Sequence, residues 1–176
     1  MPALWRNGAT PMTTELRAEQ QSCTCHRCSE ACSHKPGWFL PGEAEKAAEL
    51  MKMPLPDFFA KYLGVDWWNG AEFGQETFVL APALKQHEPG TEYPAMPTGQ
   101  CIFFNKDRRC DIHAAKPHEC QQYWHGDNPA GERHKETAEA WTDHQAQIEA
   151  LLSRKPTAAE PDTGDMLGMM FGGMFG

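Results

Sequence analysis

Positive charge is scarce in this chain and long hydrophobic runs are missing, and each shortage removes a class of function. Its 176 residues carry 16 Lys and Arg against 24 Asp and Glu, a formal net charge of -8. A chain with a pI near 5.4 lacks the basic face that neutralises phosphates, which excludes a nucleic acid as the main partner. No stretch approaches the roughly 20 apolar residues that a membrane helix needs, so no membrane partner is expected. The opening residues Met1-Pro2-Ala3-Leu4-Trp5-Arg6 do not lead a positive segment into an apolar run. No secretory signal is read there, and the expected location is cytoplasmic. A Ser/His/Asp order, a P-loop and a dinucleotide-binding glycine pattern are also missing, so any catalysis has to rest on other groups.

Sulfur is what the chain does have. Its cysteines number seven, an odd count that fits a disulfide framework poorly. In a reducing compartment, closely spaced cysteines are more often metal ligands or redox groups. Cys25-x-x-Cys28-x-x-x-Cys32 is compact enough for one loop to aim three sulfurs at one object, and Cys101, Cys110 and Cys120 recur far downstream. Structural zinc usually takes four protein ligands, catalytic zinc three, and iron–sulfur clusters four cysteines. Six thiols exceed each need, which suggests a cluster with extra thiols, a dinuclear site, or a metal site beside a redox pair. The downstream set has no second Cys-x-x-Cys knuckle, which counts against a zinc ribbon. His26, His34, His113 and His118 lie near cysteines and are candidate ligands or outer donors, although each singly reads as a hydrogen-bonded or surface histidine. Arg27, Arg108, Arg109 and Lys116 are candidates to offset thiolate charge.

Three regions are expected: an N-terminal appendage over 1–21, a cysteine-cluster domain with a C-terminal packing helix over 22–153, and a flexible Gly/Met/Phe-rich tail over 154–176. In 42–53 the residues Ala44, Ala47, Ala48 and Met51 repeat at helical spacing, which predicts an amphipathic helix. A shorter helix over 56–63 starts with a proline where its missing N–H is harmless and stops at Gly64. Trp67 and Trp68 read as core or hairpin-edge aromatics, and 76–80 as a strand. Two further strands, 100–104 and 110–113, are expected around a tight turn at Asn105 and Lys106. That register would pair Cys101 with Cys110, close enough for one site or one disulfide. Pro117 reads as a helix start with Cys120 about a turn later. The longest helical pattern, 130–153, places Ala138, Trp141, Ile148 and Leu152 on one face, with Gln145 interrupting it. Methionines in the tail read as apolar contacts rather than Cu(I) ligands.

The pattern Cys25-x-x-Cys28-x-x-x-Cys32, then Cys101-x-Phe103, then Cys110-Asp111-Ile112-His113-x-x-Lys116-Pro117-x-x-Cys120 resembles the CxxCxxCC zinc- or iron-chelating domain family. These are also called YkgJ-type cysteine cluster proteins and are often labelled iron–sulfur oxidoreductases. The likeness covers about residues 22–125. It implies metal chelation by Cys25, Cys28, Cys32, Cys101, Cys110 and Cys120. The family's third cysteine falls on Ala31 here, and Cys23 is a further candidate for the vacant role, since two residues of extended chain span at most roughly 7 Å. The family's usual arginine before proline is Lys116, which keeps the charge and loses the planar fork.

The expected fold is therefore mainly α with a small β-hairpin, an irregular metal-centred domain in which the metal substitutes for part of the core. The expected function is metal binding, with two cysteine triplets converging on an iron–sulfur cluster or Zn2+ centre that carries electrons or acts as a Lewis acid. Two other readings stand beside it. One is a non-enzymatic metal carrier or accessory protein whose tail docks a protein partner. The other is thiol–disulfide chemistry between Cys101 and Cys110.

Overall fold

Small apolar residues and flanking signals decide the helices. In the computed structural model, which describes residues 25–69, 76–94, 97–105, 107, 109–123 and 130–154, helix α1 is His26–His34. Helix α2 is Glu43–Leu50, entered through Gly42 in the left-handed region (φ 82) and burying Ala44, Ala47 and Ala48. Helix α3, Leu55–Tyr62, starts behind Pro54, carries Pro56 in its first turn, and buries Phe58 and Phe59. The appendage expected over 1–21, Cys23, Arg108 and the chain beyond residue 154 lie outside the described residues.

The described residues form a mainly α fold with one small two-stranded antiparallel sheet. Strand β1, Leu63–Trp68, pairs with β2, Thr77–Pro82, in a register that sets Val65 opposite Leu80. This is not where the hairpin was expected. Gly64 does not stop the chain; it sits inside β1, where a Cβ would collide with the ring of Tyr93. The first four residues of β1 are all buried, so no polar–apolar alternation marks the strand. Residues 100–104 and 110–113 form no strands, only isolated bridges, Leu84 with Cys101 and Phe104 with Cys110. The amide of Asn105 donates to the carbonyl of Arg109 (3.0 Å). The turn is thus wider than two residues, because the Asn105 side chain caps it by accepting from the amides of Asp107 and Arg109, both at 3.0 Å.

Downstream, a 3-10 turn at His113–Ala115 leads to the short helix α4, His118–Gln122. The long helical pattern at the end of the chain is broken into α5, Ala130–Trp141, and α6, Gln145–Leu152, by a 3-10 turn at Thr142–His144. A 3-10 turn winds with 3.0 residues rather than 3.6, so three residues advance the face by about 60° more than an α-helix would. That phase shift corrects the expected face. Ile148 is buried as foreseen, but Leu151 (6 % exposed) replaces Leu152 (38 % exposed). Gln145, which looked like an interruption, completes the edge of β2. Its side-chain amide accepts from the N–H of Phe78 and donates to the Phe78 carbonyl, both at 3.0 Å.

The core lies between the sheet and the helices and contains Trp38, Phe39, Phe58, Leu63, Leu80, Ile112, Trp141 and Ile148. Trp38 and Phe39 come from an irregular segment. Phe39 donates its amide to the Leu80 carbonyl (2.9 Å) and accepts from the Trp141 indole N–H (2.6 Å), which fastens that loop to both β2 and α5.

Candidate metal centre

The Cys25–Cys32 stretch, expected as a loop, is instead helix α1 with its N-cap, and it presents its cysteines about one turn apart. Cys25 is its N-cap: the sulfur accepts the N–H of Cys28 at 3.4 Å, a weak version of the usual oxygen cap. Cys28 and Cys32, spaced i and i+4, then share one face. That face meets the downstream segment through backbone bonds. The amide of Cys101 donates to the carbonyl of Cys32 (2.8 Å), and the amide of Gly99 to the carbonyl of His34 (2.6 Å). These carbonyls belong to the last turn of α1, where helices leave acceptors unsatisfied.

The result is one cavity of about 80 Å³ lined by Cys28, Cys32, Cys101, Cys110 and Cys120. Three separate pieces of chain supply the five thiols. Cys25 is exposed at the helix cap and is not among the lining residues. All six described cysteines are free of disulfides. Cys101 and Cys110 are not opposed across a ladder as expected, since each pairs with a different residue, yet both line the cavity. Ala31 also lines it, so a thiol there would face the others.

Of the four histidines considered, only His113 lines the cavity, and of the three described cations, Arg109 and Lys116 do. Among the described residues lining it, none is Asp or Glu. That chemistry is wrong for Ca2+ or Mg2+, which need hard oxygen ligands, and right for thiophilic zinc, Cu(I) or an iron–sulfur cluster. Among the described residues, however, no three His, Cys, Asp or Glu side chains form a group that could hold a metal ion as they stand. The donor set fits a soft metal; the donors are gathered around a cavity rather than closed on a point.

Burial dominates the electrostatics of these thiols. It raises Cys32, with the Lys116 ammonium opposing, and pushes Cys110 up to about 11. Cys101 and Cys120 are raised further, first by burial and then by repulsion from neighbouring thiolates: Cys32 and Cys110 for Cys101, and Cys32, Cys101 and Cys110 for Cys120. Mutual repulsion of this kind requires the groups to be close, and a bound cation would reverse it.

Several residues that matter here had no signal in the sequence. Glu119 is 1 % exposed and accepts the Trp38 amide at 2.9 Å. Gly37 donates its amide to the Cys120 sulfur at 3.2 Å. Asp66 is buried and accepts from the Trp38 indole (2.9 Å), with the Lys35 ammonium 3.4 Å away. Glu119 lies in the first turn of α4, and its adjacency to Cys120 was the only hint in the sequence. A second cavity of about 250 Å³ adjoins the thiols, sharing Ala31, Cys120 and Tyr123 with the first. No family model, curated protein or solved structure matches this chain. No helix among the described residues is long and apolar enough to cross a membrane.

Proposed function

We propose that this protein binds a thiophilic metal, an iron–sulfur cluster or Zn2+, in the cavity shared by Cys28, Cys32, Cys101, Cys110 and Cys120. The observation that carries the reading is the convergence of five thiols from three chain segments on one cavity, with no carboxylate among its described lining residues. Burial favours the protonated thiols, and a soft cation displaces those protons and takes the thiolates as ligands, so the same cluster of sulfurs that resists ionisation on its own becomes a donor set. Lys116 and Arg109 border the cavity, and their positive charge would offset the negative charge that bound thiolates bring. When bound, the metal would supply electron transfer as a cluster, or Lewis acidity and structural cross-linking as zinc.

Loading requires the thiols to draw together. Much of the cavity wall, around residues 97–117, is held by turns and single bridges rather than ladders, which leaves room for that adjustment. Anaerobic purification followed by Fe, sulfide and Zn analysis tests the proposal. Stoichiometric metal that is lost when Cys28 and Cys110 become serine supports it. Metal no higher than in a non-binding control protein, unchanged by those substitutions, refutes it. Chelation of the loaded protein should also increase amide exchange over 22–40 and 98–125 together.

A further inference from the structure

We propose that Glu119 is the positioning residue that seats Cys120 in the thiol cavity, acting through the backbone of Gly37 and Trp38; the inference rests on the reading of the cavity as a metal centre. Cys120 sits on α4, a helix of only five residues. Such a helix is far too short to hold its place by its own hydrogen bonds. At its start Glu43 of α2 accepts the His118 amide at 2.8 Å, and a reciprocal contact ties the Cys120 turn to the segment just after α1. Glu119 Oε2 accepts the Trp38 amide at 2.9 Å, the Glu119 amide points at the Trp38 carbonyl at 3.5 Å, and the Cys120 sulfur accepts the Gly37 amide at 3.2 Å. His134 Nδ1, from α5, lies 2.9 Å from the same Glu119 oxygen, and its ring packs against Trp38 with centroids 4.2 Å apart.

The approach is as close as the backbone permits. A Cβ at Gly37 would fall 2.5 Å from the Cβ of Glu119 and 2.8 Å from the amide nitrogen of Cys120. Only glycine allows the Gly37 N–H to reach the sulfur there. The carboxylate therefore joins the chain that follows Cys28 and Cys32 to the chain that carries Cys120, with His134 bracing it from behind. An N–H bond to a thiolate is also a means of tuning a bound metal, because it draws charge off the sulfur.

Co2+ is the probe, titrated into the reduced full-length chain without oxygen. Glu119→Ala should weaken its apparent Kd about 10- to 100-fold, the usual cost of losing an outer-shell partner. It should also lower the thiolate-to-cobalt absorption at saturation, which a general loss of stability would leave unchanged per bound ion. Glu119→Gln keeps an acceptor for the Trp38 amide and should recover most of both. In the metal-free protein, alkylation should speed up at Cys120 and not at Cys101. Gly37→Ala, which displaces α4 with Glu119 intact, should act in the same direction and serves if Glu119→Ala does not fold. A folded Glu119→Ala with wild-type Kd and absorption overturns the inference, and so does an equal rise at Cys101. A wild-type chain that binds no Co2+ refutes the Zn2+ form of the metal reading instead, and the alkylation comparison then decides the role of Glu119 alone.

Discussion

The two halves of the thiol set are built on different principles. Upstream, Cys28 and Cys32 are placed by helix geometry: four residues apart on α1, they share a face wherever that helix goes. Downstream, Cys101, Cys110 and Cys120 are spread over turns, isolated bridges and a five-residue helix, and no local rule aims them. Long-range bonds do so instead, from Cys101 to the Cys32 carbonyl, from Ile102 to the Ala83 carbonyl, and from Gly37 to the Cys120 sulfur. A local element can carry ligands cheaply, but gathering ligands on irregular backbone needs a folded core behind them. The thiol cavity and the core are therefore coupled on the downstream side.

Removing a core anchor should break that coupling most severely. Trp141 is fully buried and donates to the Phe39 carbonyl, so Trp141→Ala should cost about 3–5 kcal/mol. Urea unfolding measures the loss, and alkylation of the metal-free protein should then accelerate at Cys101, Cys110 and Cys120, with little change at exposed Cys25. Gly64→Val should cost about 1–3 kcal/mol by forcing Tyr93 aside. The phenol oxygen of Tyr93 accepts the Leu84 amide (3.1 Å), and Leu84 bridges to Cys101, so Cys101 should gain reactivity more than Cys110 does.

Ala31→Cys sharpens the upstream half. A helix-surface change of this kind should alter stability by under about 0.5 kcal/mol and add one thiol to the cavity wall. Competition with a colorimetric chelator should show tighter metal retention than in the wild type. The smallest effect expected is one of pH. Burial raises Tyr93 from 10.0 to about 12, with the Leu84 amide opposing. The neutral phenol is thus favoured in the folded chain, and its contribution to stability is whole below pH 10 and lost as pH rises through about 12. Urea midpoints should fall over that interval, and less steeply in Tyr93→Phe.

The helices were legible because their signals are local. The run Ala44, Ala47 and Ala48, the prolines ahead of α3 and Pro117 ahead of α4 each act within a turn or two, and the structure obeys them. The strand read over 76–80 is β2, but the hairpin was misplaced, for the opposite reason. Phe103 and Ile112 have the composition of strand residues but are core residues on turns, whereas β1 is buried on both faces and shows no alternation. Leu152 was misassigned because a single 3-10 turn rotates everything after it.

By itself, then, the sequence determined the mainly α character, the positions of α2 to α4, and a thiol inventory whose odd count fits a disulfide framework poorly. Only the tertiary structure decided which thiols meet. It put five of them around one cavity, left Cys25 outside as a helix cap, and brought Gly37 and Glu119 to Cys120. The physical reason is range. Periodicity and caps act over a few residues, while contacts between 32 and 101, or between 37 and 120, exist only once the core around Trp38, Phe39 and Trp141 has closed.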